Sequence, residues 1–258
     1  MRLKDKVAII TGGASGIGRE TCRLFAREGA KIIIADFIIE EANKVADELK
    51  ANGHQAMAIK IDITRYDEAT RLAGTTLDKF GQIDILANIA GGSAGPFIKT
   101  KHSLFAESTK ERWEDMINLN LYGTFNCTRA VINHMIERRS GKIVSFASTA
   151  GMIGMQKAAE YSAAKGGIIA FTKTLAKEVG QYGININCIS PGVIGSSRVQ
   201  QMPKEMVQQW LEGIPLARLG KPKEVASVVL FLASDEASYI TGENITVAGG
   251  LPLGPKGY

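Results

Sequence analysis

The sequence is short of the residues that build metal sites. Its three cysteines, Cys22, Cys127 and Cys188, form no C-x-x-C pair, and their number is odd. They read as small buried hydrophobes in a reducing compartment, not as a disulfide framework. The three histidines, His54, His102 and His134, are scattered without ligand spacing, so no metal is expected. Dense Lys/Arg runs and basic stretches interleaved with aromatics are missing too. A net charge of +5 then describes a mildly basic solvated surface, and no nucleic-acid partner is expected. No apolar run has the length of a membrane-spanning helix or a signal peptide. We therefore expect a cytoplasmic protein with no membrane partner.

What the chain does have is apolar substance in short, regularly spaced pieces. Of its 258 residues, 45% are hydrophobic, enough for a sizeable core. Strand-like runs occur at Val7–Thr11, Lys31–Asp36, Gln55–Ile61, Ile83–Asn88, Gly141–Ala147, Ile184–Ile189 and Asn244–Gly249. Several are β-branched at successive positions, which suits strands covered on both faces. Helical periodicity fills the gaps at Ile17–Glu28, Ile39–Ala51, Asp67–Lys79, Lys110–Arg138, Ala158–Gln181 and Pro222–Ala233. This alternation predicts an α/β fold with a parallel sheet flanked by helices. No linker or repeat divides the chain, so a single domain over 1–258 is expected.

The first strand runs into TGGASGIG, Thr11–Gly18. A strand turning sharply into a helix needs residues without side-chain bulk, and the helix start offers N–H groups to a diphosphate. Gly12, Gly16 and Gly18 do not keep the G-x-G-x-x-G spacing. The second strand ends at Asp36, where a carboxylate can hold ribose hydroxyls and repel a 2′-phosphate. Its neighbours Ser15 and Phe37 supply no cation, which favours NAD over NADP. Asp62, at the end of the third strand, suits either an adenine contact or a turn cap.

Ser148 follows the fifth strand, and Tyr161 and Lys165 lie four residues apart on the next helix. An ammonium near a phenol favours the phenolate, which would tune Tyr161 as an acid/base. Ser148 would hydrogen-bond the reacting oxygen. Taken singly, each has a plainer role: a turn serine, an exposed helical pair, a helix end at Gly166–Gly167.

Together these motifs closely resemble the short-chain dehydrogenase/reductase family over essentially the whole chain. TGGASGIG resembles its T-G-x-x-x-G-x-G turn, and Asn88–Gly91 its N-N-A-G segment with Ile89 for the second Asn. Asn120–Gly123 resembles the segment with its catalytic Asn, and Pro191–Ser196 resembles P-G-x-x-x-T with Ser for Thr. The resemblance implies a doubly wound Rossmann fold of about seven parallel strands with helices on both faces, and a homotetramer. It implies Tyr161 as acid/base, Ser148 orienting the substrate oxygen, Lys165 on the nicotinamide ribose and Asn120 anchoring a relay water. It extends the cofactor contacts to Ser15, Ile17, Ile63, Asn88, Ala90, Gly91, Pro191, Gly192, Ile194 and Ser196. It also suggests that the Gly166–Gly167 pair serves contact between subunits.

The expected activity is NAD-dependent interconversion of a secondary alcohol and a ketone. An NADPH-linked 3-oxoacyl carrier-protein reductase is the alternative, and a nucleotide-sensing regulatory protein is the non-enzymatic one. Two regions look individual to this chain: the Gly91–Trp113 connection, with Phe97, Lys99 and Lys101, and a substrate-loop excursion at about 195–215. The second carries Arg198 and an apolar set, Val199, Met202, Met206, Trp210 and Leu211. Met152, Met155 and Gln156 are further candidates for the pocket wall.

Overall fold

Two runs of β-branched residues set the centre of the molecule: β1 (Val7–Thr11) and β2 (Lys31–Asp36). They are followed by β3 (Ala56–Lys60), β4 (Ile85–Asn88), β5 (Gly141–Phe146), β6 (Ile184–Pro191) and β7 (Asn244–Val247). The computed structural model describes residues 1–93, 102–196, 199 and 202–254. Its strands form one sheet in the order β3-β2-β1-β4-β5-β6-β7, every pair parallel.

Side chains alternate across this sheet with the period of two that a strand imposes. Ala8, Ile10, Ile32, Ile34 and Ile85 enter one core layer, while Val7, Ile9, Ile33, Ala35 and Leu86 enter the other. The first layer is covered by α1 (Gly16–Arg27), α2 (Ile39–Ala51) and α9 (Pro222–Ala233), through Phe25, Leu49 and Val229. The second is covered by α3 (Tyr66–Phe80), α5 (Gly123–Arg138) and α7 (Ala159–Val179), through Leu72, Met135 and Leu175. Each fully buried aliphatic side chain contributes on the order of 2 kcal/mol. The doubly wound Rossmann fold follows as expected.

β1 pairs with β2 on one side and β4 on the other. The winding reverses there, which opens a crevice above the C-terminal strand ends. Among the described residues no helix is long and apolar enough to cross a membrane, and no cluster could hold a metal.

Three local features differ from the sequence expectation. The helix expected over Lys110–Arg138 is broken: α4 (Lys110–Ile117) leads into a π-helical segment, Asn118–Tyr122, before α5. Apolar spacing continues through this wider turn, so periodicity does not reveal it. Two further helices, α6 (Ala150–Ile153) and α8 (Lys204–Glu212), occupy stretches read as loop. β6 extends to Pro191 because Ser190 and Pro191 find partners in Thr246 and Val247. Phe97, Lys99, Lys101 and Arg198 lie outside the described residues.

Candidate active site

The glycine turn is built by close backbone approach. A Cβ on Gly18 would lie 2.0 Å from the Gly12 carbonyl oxygen, and one on Gly12 would lie 2.9 Å from Ala90 Cα. Gly12 and Gly16 also hold φ of +67° and +50°, where glycine is favoured. Thr11 fixes the turn from below, its hydroxyl accepting the Ile89 and Ala90 N–H groups at 3.1 and 3.2 Å. α1 then begins without a side-chain cap, since the Ser15 hydroxyl makes no bond to its N–H groups. Uncapped N–H groups of this kind, with Ile17 in the first turn, are suited to receive a diphosphate. The Gly16 position sits 3.9 Å from Ser196 Cβ, so the two motifs meet across the crevice.

Asp36 stands at the β2 end with both carboxylate oxygens engaged. Oδ2 accepts the Ala14 N–H at 3.0 Å and Oδ1 the Ile38 N–H at 3.1 Å. It is thereby aimed at the glycine turn, as a ribose-binding carboxylate should be. Asp62 does cap its own turn, accepting the Thr64 N–H and hydroxyl at 2.9 and 2.7 Å. Ile63 is buried against Gly123, and its carbonyl accepts Asn126 Nδ2 at 2.9 Å. Asn88 is buried in the sheet, donating to Thr128 Oγ1 at 3.0 Å and Ser145 Oγ at 3.3 Å. It ties β4 to β5.

The remaining residues converge around Lys165. This side chain is only 3% exposed, and its Nζ donates to the Phe146 carbonyl at 2.6 Å. Nζ lies 5.8 Å from the centre of the Tyr161 ring and 3.5 Å from where a Cβ on Gly91 would be. Burial pushes the Lys165 pKa down to about 7, with the nearby Cys188 acting weakly in the other direction. Gly91 and Gly92 adopt φ of +141° and +150°, which carries the chain over the lysine tip. Asn120, in the π segment, locks that crossing: its Oδ1 accepts the Gly92 N–H at 2.8 Å, and its Nδ2 donates to the Gly92 and Met116 carbonyls at 3.1 Å each. The Asn120 side-chain amide is therefore committed to the backbone.

Ser148 follows β5, where its hydroxyl oxygen accepts the Ala150 N–H at 3.1 Å and keeps its own proton to donate. The next residue, Thr149, donates its N–H to the Pro191 carbonyl at 3.1 Å. This joins the serine turn to the segment holding Gly192, Ile194 and Ser196. Gly192 needs to be glycine, since a Cβ there would lie 2.8 Å from Ala248 Cβ. Met152 and Met155 are exposed beyond Ser148, and α8 with Met206 has no buried residue.

Two features escaped the sequence. Arg112 on α4 and Glu160, the residue before Tyr161, form an ion pair that is almost completely buried. It pins the first turn of α7 to α4; nothing in the local pattern of either residue signals it. Gly166 and Gly167 have internal neighbours. A Cβ on the first would lie 3.4 Å from the Gly151 carbonyl oxygen, and on the second 3.2 Å from Leu121 Cδ1.

Comparison with known proteins agrees with this geometry. A family model described as enoyl-(acyl carrier protein) reductase matches residues 12–252. A 3-oxoacyl-[acyl-carrier-protein] reductase of Thermotoga maritima is 40% identical, covering 98% of this chain and 100% of the relative. One from Synechocystis is 41% identical over 97% and 98% of the two chains. A (2S)-[(R)-hydroxy(phenyl)methyl]succinyl-CoA dehydrogenase subunit of Thauera aromatica is 37% identical over 98% and 99%. The crystal structure of gox2181 superposes with a TM-score of 0.92 at 34% identity, covering 98% of this chain and 97% of that one.

Proposed function

The chain belongs to the short-chain dehydrogenase/reductase family, and from that premise we propose that it interconverts 3-oxoacyl and 3-hydroxyacyl thioesters with NAD(H). Family membership makes it an oxidoreductase that works with a nicotinamide cofactor. The substrate class is carried by its relatives, which are named for acyl carrier-protein or CoA thioesters. That support moves the carrier-protein alternative ahead of an unspecified alcohol or ketone. The choice of NAD rests on Asp36, a carboxylate at the β2 end that accepts two backbone N–H groups and would repel a 2′-phosphate.

The observation that carries the chemistry is the buried Lys165 beneath Tyr161. The nicotinamide supplies or accepts the hydride at the carbon that changes between ketone and alcohol. In reduction, Tyr161 gives its phenolic proton to the oxygen, and Ser148 donates a hydrogen bond to that same oxygen. Lys165 gains acceptors for its remaining N–H bonds once ribose hydroxyls lie against it. That favours its charged form and helps the phenol release its proton. Gly12 and Gly18 hold the turn close, Gly16 leaves room for a diphosphate, and Ser196 offers a hydroxyl near the nicotinamide end. We retain a homotetramer as part of the proposal; size-exclusion chromatography with light scattering tests it.

The central test compares acetoacetyl-CoA reduction by NADH and by NADPH, with the wild type and Tyr161→Phe. The wild type should turn over faster with NADH. The variant should lose at least about a hundredfold in kcat while binding NADH normally by fluorescence titration. Near-normal turnover by Tyr161→Phe would remove the phenol from its role. Cofactor binding without turnover of any thioester, alcohol or ketone would support the regulatory alternative.

A further inference from the structure

The sheet pairs Asp36 with a cation that is distant in sequence, Lys60. We infer that Lys60 is a second determinant of nucleotide choice: its ammonium offsets Asp36 and lets the site accept a 2′-phosphorylated nucleotide alongside an unphosphorylated one. This rests on the nucleotide-binding reading of the crevice and extends it.

Asp36 and Lys60 are direct partners in the parallel β2–β3 ladder. Partners in such a ladder project from the same face of strands about 4.8 Å apart. The backbone there is held on both sides, with the Asp36 carbonyl accepting the Ile61 N–H at 3.0 Å and the Lys60 carbonyl accepting Arg71 Nη2 at 2.8 Å. Lys60 is exposed, and its Nζ lies 5.6 Å from the centre of the Phe37 ring. Phe37 directly follows Asp36 in the chain, so the aromatic ring holds the ammonium against the residue next to the carboxylate, with no direct ion pair between Lys60 and Asp36 among the described residues. Ser15 and Phe37 offer no charge of their own, and sequence neighbours alone would make this site hostile to a 2′-phosphate. The fold changes that balance. Asp36 still repels a dianion, while Lys60 attracts it through solvent. An exposed pair of this kind alters affinity by a few-fold rather than by orders of magnitude. The expected outcome is therefore a moderate preference for the unphosphorylated nucleotide, not an exclusive one.

Isothermal titration calorimetry with adenosine 5′-monophosphate and adenosine 2′,5′-bisphosphate tests this without turnover. Lys60→Met should weaken the bisphosphate about fivefold and leave the monophosphate within about twofold, and the difference should shrink in high salt. The same substitution in an Asp36→Asn background, where the bisphosphate binds more tightly, should give the same ratio. Equal weakening of both ligands, or no change in either background, would overturn the role of Lys60. Failure of every variant to bind either ligand would instead overturn the nucleotide-site reading beneath it.

Discussion

The two ends of the sheet handle buried charge in opposite ways. At the N-terminal end, Asp84 is 4% exposed and surrounded by donors. It accepts the Val7 N–H at 2.8 Å, Gln82 Nε2 at 2.7 Å and Arg138 Nη1 at 3.0 Å. His134 beside it accepts the Ile83 N–H at 3.2 Å through Nε2. At the C-terminal end, Lys165 is as deeply buried as Asp84, and its one protein hydrogen bond among the described residues goes to a neutral carbonyl. No carboxylate among the described residues meets it in an ion pair there, and its pKa is lowered chiefly by burial. One end is complete in the free protein; the other has ammonium hydrogen-bonding capacity that protein groups leave unused. That difference supports the proposal that the second end is the working one, on grounds independent of any motif.

Substitutions at the two ends should then act with opposite sign. The largest effect belongs to Asp84→Ala, which orphans the Val7 N–H and deprives Arg138 of its partner. We expect a loss of about 3 kcal/mol in urea unfolding with little change in kcat at permissive temperature. A smaller effect of reversed sign belongs to Lys165→Met, which replaces a desolvated cation with a chain of similar volume. The free protein should gain about 1 kcal/mol at pH 7 and more in acid, while turnover is lost. Destabilisation by Lys165→Met would erase the contrast between the ends.

The smallest effect is the acid sensitivity of His134. Burial, then Arg138, holds its pKa below the ordinary value, so the folded protein disfavours its charged form. Its contribution to stability is complete above the unfolded pKa of about 6.5 and declines as pH falls below that value. His134→Gln should flatten this part of the stability–pH curve in thermal unfolding. An unchanged slope would show that the ring carries no such linkage.

How much of this was legible in the sequence depended on range. β1 and β2 follow the expected boundaries because their apolar runs are bounded by polar residues and a glycine turn. The glycine turn, Ser148, Tyr161 and Lys165 could be named from the sequence because each motif is local; the structure sets Lys165, with Tyr161 near it, at the end of β5, the strand that Ser148 follows. The π segment was not legible, since a single wider turn leaves the apolar pattern of 110–138 intact. α8 was read as part of an excursion with an apolar face, and the structure makes it a helix with none of its residues buried. The Arg112–Glu160 pair and the Asp36–Lys60 pairing join residues 48 and 24 positions apart. Only packing and strand register could bring them together.

The central claim is that Lys165 sits in the free protein with its charge poorly supported and regains it beside a nucleotide. Its protonation can be followed directly by titrating the ε-carbon signal in protein labelled with 13C-lysine, with Lys165→Met assigning the resonance. The account predicts a midpoint at about 7 in the free protein, and a clear upward shift when the protein is saturated with NADH. A midpoint near the ordinary value of about 10.4 in the free protein, or no movement on saturation, would contradict it.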